Sequence, residues 1–492
     1  MHATSQVRKL TSMPLCALLC GSFGLTRQSE AAVTISTAAT QNMNCSGGVC
    51  SPTATDAILN AIDLENLLAS GSVEIITSGS GGVQANDIDV ETPVAWSTSS
   101  AVSLDAHHSV VVDQPISATG LAGLSLVTND GGSGGILFFG LNGNATFSNL
   151  SSALSINGAS YTLVATLPTL ASAIANNPSG SYALATSYDA AADGTYSTSP
   201  IVTAFSGNFT GLGNTINNLK VHDKNVADNV GLFEQIDTGG SVAGVGVVNG
   251  EVTGSEGNVG GLAGVNQGMI ENAFASGSVT LSRNDSTPVA GGLVGWNSDG
   301  TILLSHANVT VDVTGDNGAG GLVGVSTGAI VQCWATGRAS AVDDYTGGLV
   351  ANSTGSVDQS YSTGTVAAKA GRLKFGLGGL IGANSGTVTQ SYASGQVRDS
   401  HGHIAGVEKG GFVGEDDASP GSISSSYWDE TTSGVKKSSH GAGNIKNDPG
   451  ITGLTNAELE SALPTGFDPT VWAQNKNINN GLPYLINNPP PQ

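Results

Sequence analysis

One stretch of this chain decides its fold: Gly260-Gly261-Leu262-Ala263-Gly264-Val265-Asn266. Related stretches follow at 291–297, 320–324, 347–351, 378–382 and 410–414, and a degenerate first copy lies at 230–233. Counted from the glycine before the Leu or Phe, the copies are 30, 31, 29, 27, 31 and 32 residues apart. A period near 30 over seven copies is typical of a solenoid, in which each repeat forms one coil and stacks on the next.

A second segment accompanies several copies: 268–277 matches 328–337, 355–364 and 386–395. Its side chains alternate with period two, which predicts one strand and not a helix. Stacked copies would form an aliphatic, an amide and an aromatic ladder, and stacked amides can satisfy one another. The ladder members are Ile270, Ile330, Val357 and Val388; Asn272, Gln332, Gln359 and Gln390; and Phe274, Trp334, Tyr361 and Tyr392. Small residues, Ala273, Cys333, Ser360 and Ser391, lie between the amides and the aromatics.

Glycine is abundant, with 70 residues among 492, and its positions follow the repeat. We expect these glycines at corners, where the backbone is left-handed or where neighbouring coils approach closely. The predicted fold is therefore all-β: a right-handed parallel β-helix or β-solenoid with short capping helices.

The charge of the chain is lopsided, with 16 Lys and Arg against 38 Asp and Glu and a formal net charge of -22. Such a chain does not track phosphates, so nucleic acid is excluded as a partner. Charged residues are only 11% of the chain, too few for a long coiled coil. Hydrophobic residues are 39%, too many for a wholly disordered chain. We interpret the acidity as keeping an exposed β surface soluble.

The chain divides by pattern into five segments: a signal peptide at 1–32, a β-helical segment at 33–140, a connecting segment at 141–225, the repeat array at 226–434 and a C-terminal cap and tail at 435–492. Short apolar or alternating runs predict strands at 73–76, 88–90, 102–104, 110–112, 124–127 and 136–139.

Three short helices are predicted at turns and ends of the solenoid. One is capped by Asp63 and ends at Gly71, a second occupies 166–177 before Pro178, and a third follows the capping box 455–458. Trp472 and Tyr484, beyond the third helix, are expected to cover the open last coil, since solenoid ends need a cap.

The amino terminus has the order of an export signal. Arg8 and Lys9 precede an apolar stretch at 10–25, and Ser29 and Ala31 are small residues at positions suited to cleavage after Ala31. The alternative is a disordered tail with chance hydrophobicity. No later apolar run reaches the ~20 residues that a membrane helix needs, so no transmembrane anchor is expected.

Cysteine usage agrees with export. Cys45 and Cys50 flank a glycine-containing loop, which predicts a structural disulfide in an oxidising compartment. The alternative is half of a metal site, which lacks a second pair of cysteines. Cys333 lies within a repeat where sister copies carry Ser or Ala, so it is interpreted as a small buried residue.

The repeated pattern, Gly-Gly-Leu-Val-Gly-x-Asn followed by Gly-x-Ile/Val-x-Gln-Ser-Tyr, resembles the GLUG repeat of bacterial surface and secreted proteins. Residues 205–219 resemble the segment that commonly precedes such repeats, and 426–429 their usual last copy. Residues 63–130 resemble the β-helical passenger of filamentous-haemagglutinin-type exoproteins. The resemblance implies an exported, adhesin-like protein of a Gram-negative bacterium that leaves the cell through an outer-membrane two-partner secretion pore. This chain is short for that family, and its secretion motif is not identified. The family supplies no agreed ligand residues.

Candidate chemistry is sparse. No His-Glu-x-x-His zinc motif occurs, and the nearest approach to a metal cluster is His401 and His403 with Glu408, interpreted as a solvated turn. Parallel solenoids also host polysaccharide lyases and hydrolases, and the candidate acids for that chemistry are Asp343 and Asp344, and Glu415, Asp416 and Asp417. Both groups lie between repeats, where solvated acids are common. We therefore expect no catalytic residues, no metal and no cofactor.

Together these patterns predict a secreted or cell-surface adhesin-like protein whose repetitive surface makes many weak contacts with surface carbohydrate or a host-cell surface. The alternatives are a carbohydrate-active enzyme, a polysaccharide lyase or hydrolase, on the same fold, or a non-catalytic fragment of a longer exoprotein.

Overall fold

The computed structural model describes residues 31–491 except 226–227, 283–287, 316–317, 343, 370–374, 400–406 and 420. Short strands stack in parallel, each pairing with the equivalent strand of the next coil, and the predicted all-β parallel solenoid is confirmed. The described part of the chain contains three short helices. The predicted signal peptide lies outside the described residues apart from Ala31 and Ala32.

The N-terminal coils carry three strands each. The elements are β1 Ala32–Ser36, β2 Met43–Ser46, β3 Val49–Pro52, β4 Ala57–Asn60, α1 Ala61–Leu68, β5 Val73–Ile76, β6 Asp87–Val90, β7 Val94–Trp96, β8 Ala101–Asp105, β9 Val110–Val112, β10 Ile116–Ala118, β11 Gly123–Val127, β12 Leu137–Phe139, β13 Ala145–Phe147 and β14 Leu154–Ile156. The hairpin of β2 and β3 begins the longest sheet, and β4 pairs with β1 at the edge of another. These elements cover the N-terminal end of the solenoid.

A connecting region follows the antiparallel hairpin of β14 and β15. Its elements are β15 Ala159–Val164, α2 Leu167–Asn176, β16 Ser181–Leu184, β17 Tyr188–Asp189, β18 Thr195–Tyr196, β19 Asn208–Thr210, β20 Thr215–Asn217, β21 Lys220–His222 and β22 Phe233–Ile236. Two hydrophobic cores meet here: one contains residues 33–163 with Ala183, Ala185 and Leu212, and the other runs from Val164 to Val435.

The repeat array visits four sheets in each coil. Its strands are β23 Ser241–Ala243, β24 Gly246–Gly254, β25 Val259–Gly260, β26 Ala263–Asn266, β27 Met269–Glu271, β28 Phe274–Leu281, β29 Ala290–Gly291, β30 Val294–Asn297, β31 Thr301–Leu303, β32 His306–Val313, β33 Ala319–Gly320, β34 Val323–Ser326, β35 Ala329–Val331, β36 Trp334–Ala335, β37 Ala339–Ala341, β38 Thr346–Gly347, β39 Val350–Ser353, β40 Ser356–Asp358, β41 Tyr361–Ser362, β42 Val366–Ala368, β43 Phe375–Gly378, β44 Ile381–Asn384, β45 Thr387–Thr389, β46 Tyr392–Ala393, β47 Val397–Asp399, β48 Val407–Gly410, β49 Val413–Asp416, β50 Ile423–Ser424 and β51 Ser426–Asp429. Equivalent strands join a 16-, a 15-, a 7- and a 6-stranded sheet.

The last coil is completed by β52 Ile451–Leu454, which pairs with β51. After it come α3 Asn456–Leu459, β53 Trp472–Ala473 and β54 Tyr484–Leu485. The predicted capping box at Thr455 and Glu458 is confirmed, because each side chain bonds the backbone N–H of the other. The helix predicted at 166–177 is α2.

The predicted cap of the first helix is wrong. Asn60 caps α1 by accepting hydrogen bonds from the backbone N–H of Ile62 (2.9 Å) and Asp63 (3.3 Å). Asp63 lies inside the helix and accepts a hydrogen bond from Thr40 Oγ1 at 2.6 Å. The helix ends at Leu68, three residues before Gly71.

The second half of each repeat is two strands and not one. Asn272, Gln332, Gln359 and Gln390 have φ of 46°, 53°, 49° and 45°, so a left-handed residue separates β27-type from β28-type strands. The prediction of a single alternating strand is therefore wrong, because period-two alternation cannot pass through a left-handed corner. The corner turns the small residues, such as Cys333 and Ser360, into the core and the aromatic residues out of it.

The glycine pairs of the repeat permit close approach of neighbouring coils. A Cβ atom on Gly348 would lie 2.1 Å from the carbonyl oxygen of Gly379 in the next coil, and one on Gly321 would lie 2.0 Å from that of Gly348. Neither glycine has a positive φ. In the array, the equivalent left-handed corners carry Asn or Gln in four coils and Leu304 and Ser425 in two others, whereas these glycines allow the backbones to stack.

Candidate functional site

Aromatic rings form a continuous stack on the outer face of the 15-stranded sheet. Ring centroids are 5.0 Å apart for Phe274 and His306, 4.0 Å for His306 and Trp334, 6.0 Å for Trp334 and Tyr361 and 5.0 Å for Tyr361 and Tyr392. The rings are within 18° of parallel. The predicted aromatic ladder thus exists, but it faces away from the main core, and its sequence prediction missed His306. The sequence signal for His306 is its spacing of about one repeat from both Phe274 and Trp334.

The chain segment 459–491, which we call the C-terminal strap, covers this stack. Phe467, Trp472, Leu482 and Leu485 form one buried cluster with Trp334, Tyr361, Tyr392 and Tyr427. Trp472 was expected to cover the open last coil. It packs on the flank instead, with ring centroids 6.0 Å from Tyr361 and 5.8 Å from Tyr392. The outward aromatic stack is an apolar surface that the strap buries.

Hydrogen bonds fix the strap at intervals along the stack. Tyr427 Oη donates to the carbonyl oxygen of Thr465 (2.6 Å), and Tyr392 Oη donates to that of Pro483 (2.7 Å). Near the end of the strap, Trp334 Nε1 donates to the carbonyl oxygen of Asn488 (2.9 Å). His306 Nδ1 lies 3.1 Å from Asn488 Oδ1. Burial lowers the pKa of His306 to about 4, against the opposing effect of the Asn488 contact.

A buried polar ladder runs along the 7-stranded sheet at the last position of the glycine motif. Asn266 Nδ2 donates to Asn297 Oδ1 (2.8 Å), and Asn297 Nδ2 donates to Ser326 Oγ (3.1 Å). Asn384 Nδ2 donates to Asp416 Oδ1 (2.8 Å) further along the sheet. The ladder predicted at Asn272 and its equivalents is represented by one amide-to-amide bond, from Gln332 Nε2 to Gln359 Oε1 (2.9 Å).

The candidate acids occupy structural positions. Asp416 belongs to the polar ladder and is 5% exposed, and Asp448 lies beside it at 8%. Burial, followed by the Asp416 carboxylate, raises the pKa of Asp448 to about 6. Glu415 accepts a hydrogen bond from Tyr345 Oη at 2.9 Å. Asp344 Oδ1 accepts from the backbone N–H of Tyr345. Of the remaining candidates, Asp417 is exposed. Asp343 is outside the described residues.

The candidate metal residues His401 and His403 also lie outside the described residues, and Glu408 follows them at half-buried exposure. Among the residues that the structure describes, no group of three or more His, Cys, Asp and Glu could hold a metal ion.

Cys45 and Cys50 form a disulfide across the β2–β3 hairpin, with the sulfur atoms 1.99 Å apart. Cys333 is buried, and burial raises the pKa of its thiol to about 12.

An outward row of mainly polar residues crosses seven coils of the 15-stranded sheet. Strand register places its members directly above one another: His222, Thr253, Thr280, Asp312, Ser340, Ala367 and Arg398. Neighbouring strands are ~4.8 Å apart, so the row is roughly 30 Å long. We call it the outward row. His222 and Arg398 are exposed and Thr253, Thr280 and Asp312 are half-buried, whereas Ser340 and Ala367 are buried.

The outward row ends in a basic groove of about 600 Å³. Its lining residues are Arg338, Ala367, Ala368, Lys369, Gln396, Val397, Arg398, Asp399, Lys409 and Gly434. Arg338 and Arg398 are exposed, whereas Lys369 and Lys409 are half-buried. Lys369 pairs with Asp312 and donates to the carbonyl oxygen of Val313 at 3.3 Å.

Sequence reasoning missed the groove. Arg338, Lys369 and Arg398 are 31 and 29 residues apart, and this match to the repeat period is the signal that could have found them. Within the described residues, no helix is long and apolar enough to cross a membrane.

Comparisons with known proteins identify the repeat. The GLUG motif family matches residues 255–280, which confirms the GLUG-repeat resemblance. Halomucin of Haloquadratum walsbyi is 37% identical over 139 residues, which are 28% of this chain and 2% of that protein. The structure of a proposed immunoglobulin A1 protease from Bacteroides ovatus is similar over 67% of this chain and 93% of its own, with 18% identity and a TM-score of 0.45. The resemblance to filamentous-haemagglutinin-type exoproteins stays a prediction.

Proposed function

We propose that this chain is an extracellular or cell-surface repeat protein that works as an adhesin, through multivalent contacts with surface carbohydrate. The observation that carries the proposal is the outward row, because His222, Thr253, Thr280 and Asp312 place accessible hydrogen-bonding groups in register on four successive coils. Many weak contacts along such a face add to a strong attachment without a deep cavity. Similarity to part of Halomucin supports a place outside the cell.

The test removes hydroxyl groups from this face and keeps its shape. Thr253→Val and Thr280→Val together should weaken adhesion to glycan-coated surfaces by about tenfold, since each lost hydrogen bond is worth about 0.5–1.5 kcal/mol. The matched control is Thr301→Val with Thr387→Val, which changes the same residue type on the outer face of the 16-stranded sheet. Binding of the whole chain to a glycan array and to cells is the measurement. Equal binding by both variants would contradict the assignment of this face.

The proposal gives the chain no catalytic role. Its support is the placement of Asp416 within a buried polar ladder and of Glu415 against Tyr345, since a glycosidase needs two carboxylates facing one substrate. Incubation of the whole chain with uronate polymers should release no new sugar ends. Release that is abolished by Asp416→Asn would establish the alternative, a polysaccharide lyase or hydrolase.

Export through an outer-membrane two-partner secretion pore is the route that the filamentous-haemagglutinin resemblance suggests. Co-expression with a candidate pore should move the whole chain into the medium, and expression without it should not. Equal release in both cases would contradict this route and leave the adhesin proposal unchanged.

A further inference from the structure

The positive charge of this acidic chain is concentrated in one place. Residues 31–219 contain no Lys or Arg, and the described part of the chain contains ten in all. Four of these ten line the basic groove: Arg338, Lys369, Arg398 and Lys409. The chain has a formal net charge of -22, so this groove is a local region of positive charge on an acidic protein.

Strand register builds the groove from successive coils. Arg398 pairs with Ala367 of the preceding coil, and Ala367 pairs with Ser340 of the coil before. The small side chain of Ala367 leaves a depression on the face, while Arg338 and Arg398 extend from the coils on either side. Lys369 and Lys409 complete the lining, together with the carboxylate of Asp399. The cations therefore surround a concave surface and are not scattered over a convex one.

Two of the four cations are held by side-chain contacts, and a third, Lys409, is half-buried. Lys369 is anchored by Asp312, and Arg398 Nε donates to Gln396 Oε1. Burial lowers the pKa of Lys409, and the nearby Asp399 carboxylate opposes that shift. Among the lining residues that the structure describes, four cations accompany one carboxylate, Asp399, and Asp312 pairs with Lys369.

The chemistry of this lining selects an anionic ligand. Guanidinium groups present a planar fork of donors that matches carboxylate and sulfate oxygens. A volume of about 600 Å³ suits a few sugar residues, and the groove opens onto the outward row, where the partly exposed carboxylate of Asp312 can accept hydrogen bonds from sugar hydroxyls. The formal net charge of -22 disfavours binding of a long nucleic acid.

We propose that the basic groove binds a carboxylate- or sulfate-bearing segment of a polysaccharide. This inference rests on the proposed function. It names the class of ligand that binds where the outward row ends in the basic groove.

The experiment measures binding of the whole chain to four immobilised polymers: polygalacturonate, dextran sulfate, neutral dextran and duplex DNA. The test variant is Arg338→Ala with Arg398→Ala, both exposed side chains. The control is Lys224→Ala with Lys476→Ala, which removes the same charge from exposed positions outside the groove. We expect the groove variant to bind the anionic polysaccharides at least about tenfold more weakly, while the control variant binds as the unchanged chain does. Binding should weaken as salt rises. Preference between polygalacturonate and dextran sulfate distinguishes a carboxylate from a sulfate ligand.

Several results would overturn the proposal: equal losses in the two variants, equal binding to neutral dextran, or preferred binding to duplex DNA. Self-association of the chain that the groove variant abolishes would show that the occupant is a second copy. Failure of the groove leaves the Thr253 and Thr280 result on cells and glycans standing. Failure of that adhesion test, with polyanion binding intact, would instead remove the adhesin role and keep an anion-binding groove.

Discussion

The N-terminal coils, 73–147, and the repeat array, 241–429, both stack in parallel, but each N-terminal coil has three strands and each array coil contributes to four sheets. The N-terminal coils carry no recurring motif, yet Val73, Val102 and Leu124 stack in register as the repeat residues do. In the array the same backbone pairing is accompanied by ladders of identical or similar side chains. Alternating apolar strands with turns are thus enough for a parallel coil, while repetition adds the ladders.

The two regions also differ in charge and in what covers them. Residues 31–219 contain twelve Asp and Glu and no Lys or Arg, whereas the array contains the basic groove. The array carries an outward aromatic stack and the C-terminal strap, while the N-terminal coils are closed by a disulfide-bonded hairpin. The specialised surfaces therefore belong to the repeated region.

The largest expected difference between the two regions is the loss of stability when a glycine is replaced by alanine. Gly348→Ala should lower the free energy of unfolding by more than about 4 kcal/mol, because its Cβ would lie 2.1 Å from the Gly379 carbonyl oxygen and 2.3 Å from Ser362 Oγ. The matched change in the N-terminal region, Gly71→Ala, meets no atom within 4 Å and should be nearly neutral. Urea unfolding followed by circular dichroism measures both. Similar losses of stability in the two variants would mean that the close approach of coils does not require glycine at position 348.

This contrast shows what the sequence could predict. The period near 30 and the core positions Ile330, Val357 and Val388 were predicted correctly because identical residues must occupy identical places in stacked coils. The outward direction of the aromatic stack could not be predicted, since it depends on one left-handed residue in each coil, such as Gln359. Period-two alternation carries no sign of that corner.

Long-range partners were also beyond local patterns. Trp472 follows the stack partner Tyr361 by more than a hundred residues, and no repeat spacing relates the two. The basic groove is intermediate in predictability. Arg338, Lys369 and Arg398 are distant in sequence, but each is about one repeat period from the next.

The strap gives the second prediction. Trp472→Ala should weaken docking of the strap by about 3–4 kcal/mol, since the ring is 1% exposed and packs on Phe467 with centroids 4.6 Å apart. Faster amide hydrogen exchange at Leu485 would report the effect, while exchange in the N-terminal coils should not change. Trp296→Ala, at a 37% exposed array position, is the control and should leave the strap docked. Global unfolding by Trp472→Ala would show that the array depends on its strap.

His306 gives the third prediction, a pH dependence confined to the strap. Its pKa of about 4 in the folded protein is below the ordinary value near 6.5, so protonation favours the undocked or unfolded state. The stability it contributes is present above about pH 6.5 and is lost as the pH falls toward 4, by roughly 2–3 kcal/mol. Hydrogen exchange at the strap across this range is the measurement.

His306→Phe should abolish this dependence, because the preceding coil already places Phe274 in the same stack. His108→Gln, in the N-terminal coils beside Asp87, is the control and should leave the dependence in place. An unchanged profile in His306→Phe would assign the effect to other groups.

The smallest expected effect concerns the other end of the molecule. Replacing Cys45 and Cys50 by Ser opens a short loop in the hairpin that begins the 16-stranded sheet, and loop-closure entropy gives a loss of about 2 kcal/mol. The loss should be local, because that hairpin packs on the N-terminal core and, among the residues that the structure describes, does not belong to the array core. Cys333→Ser is the matched control: Ser360 and Ser391 occupy its place in the next two coils, so the array already accommodates a hydroxyl there. Faster hydrogen exchange in β5 and β8 without a change in β35 and β40 is the expected pattern. Equal changes in both sets of strands would mean that the two cores unfold as one unit, and the comparison between the regions would then apply to their surfaces alone.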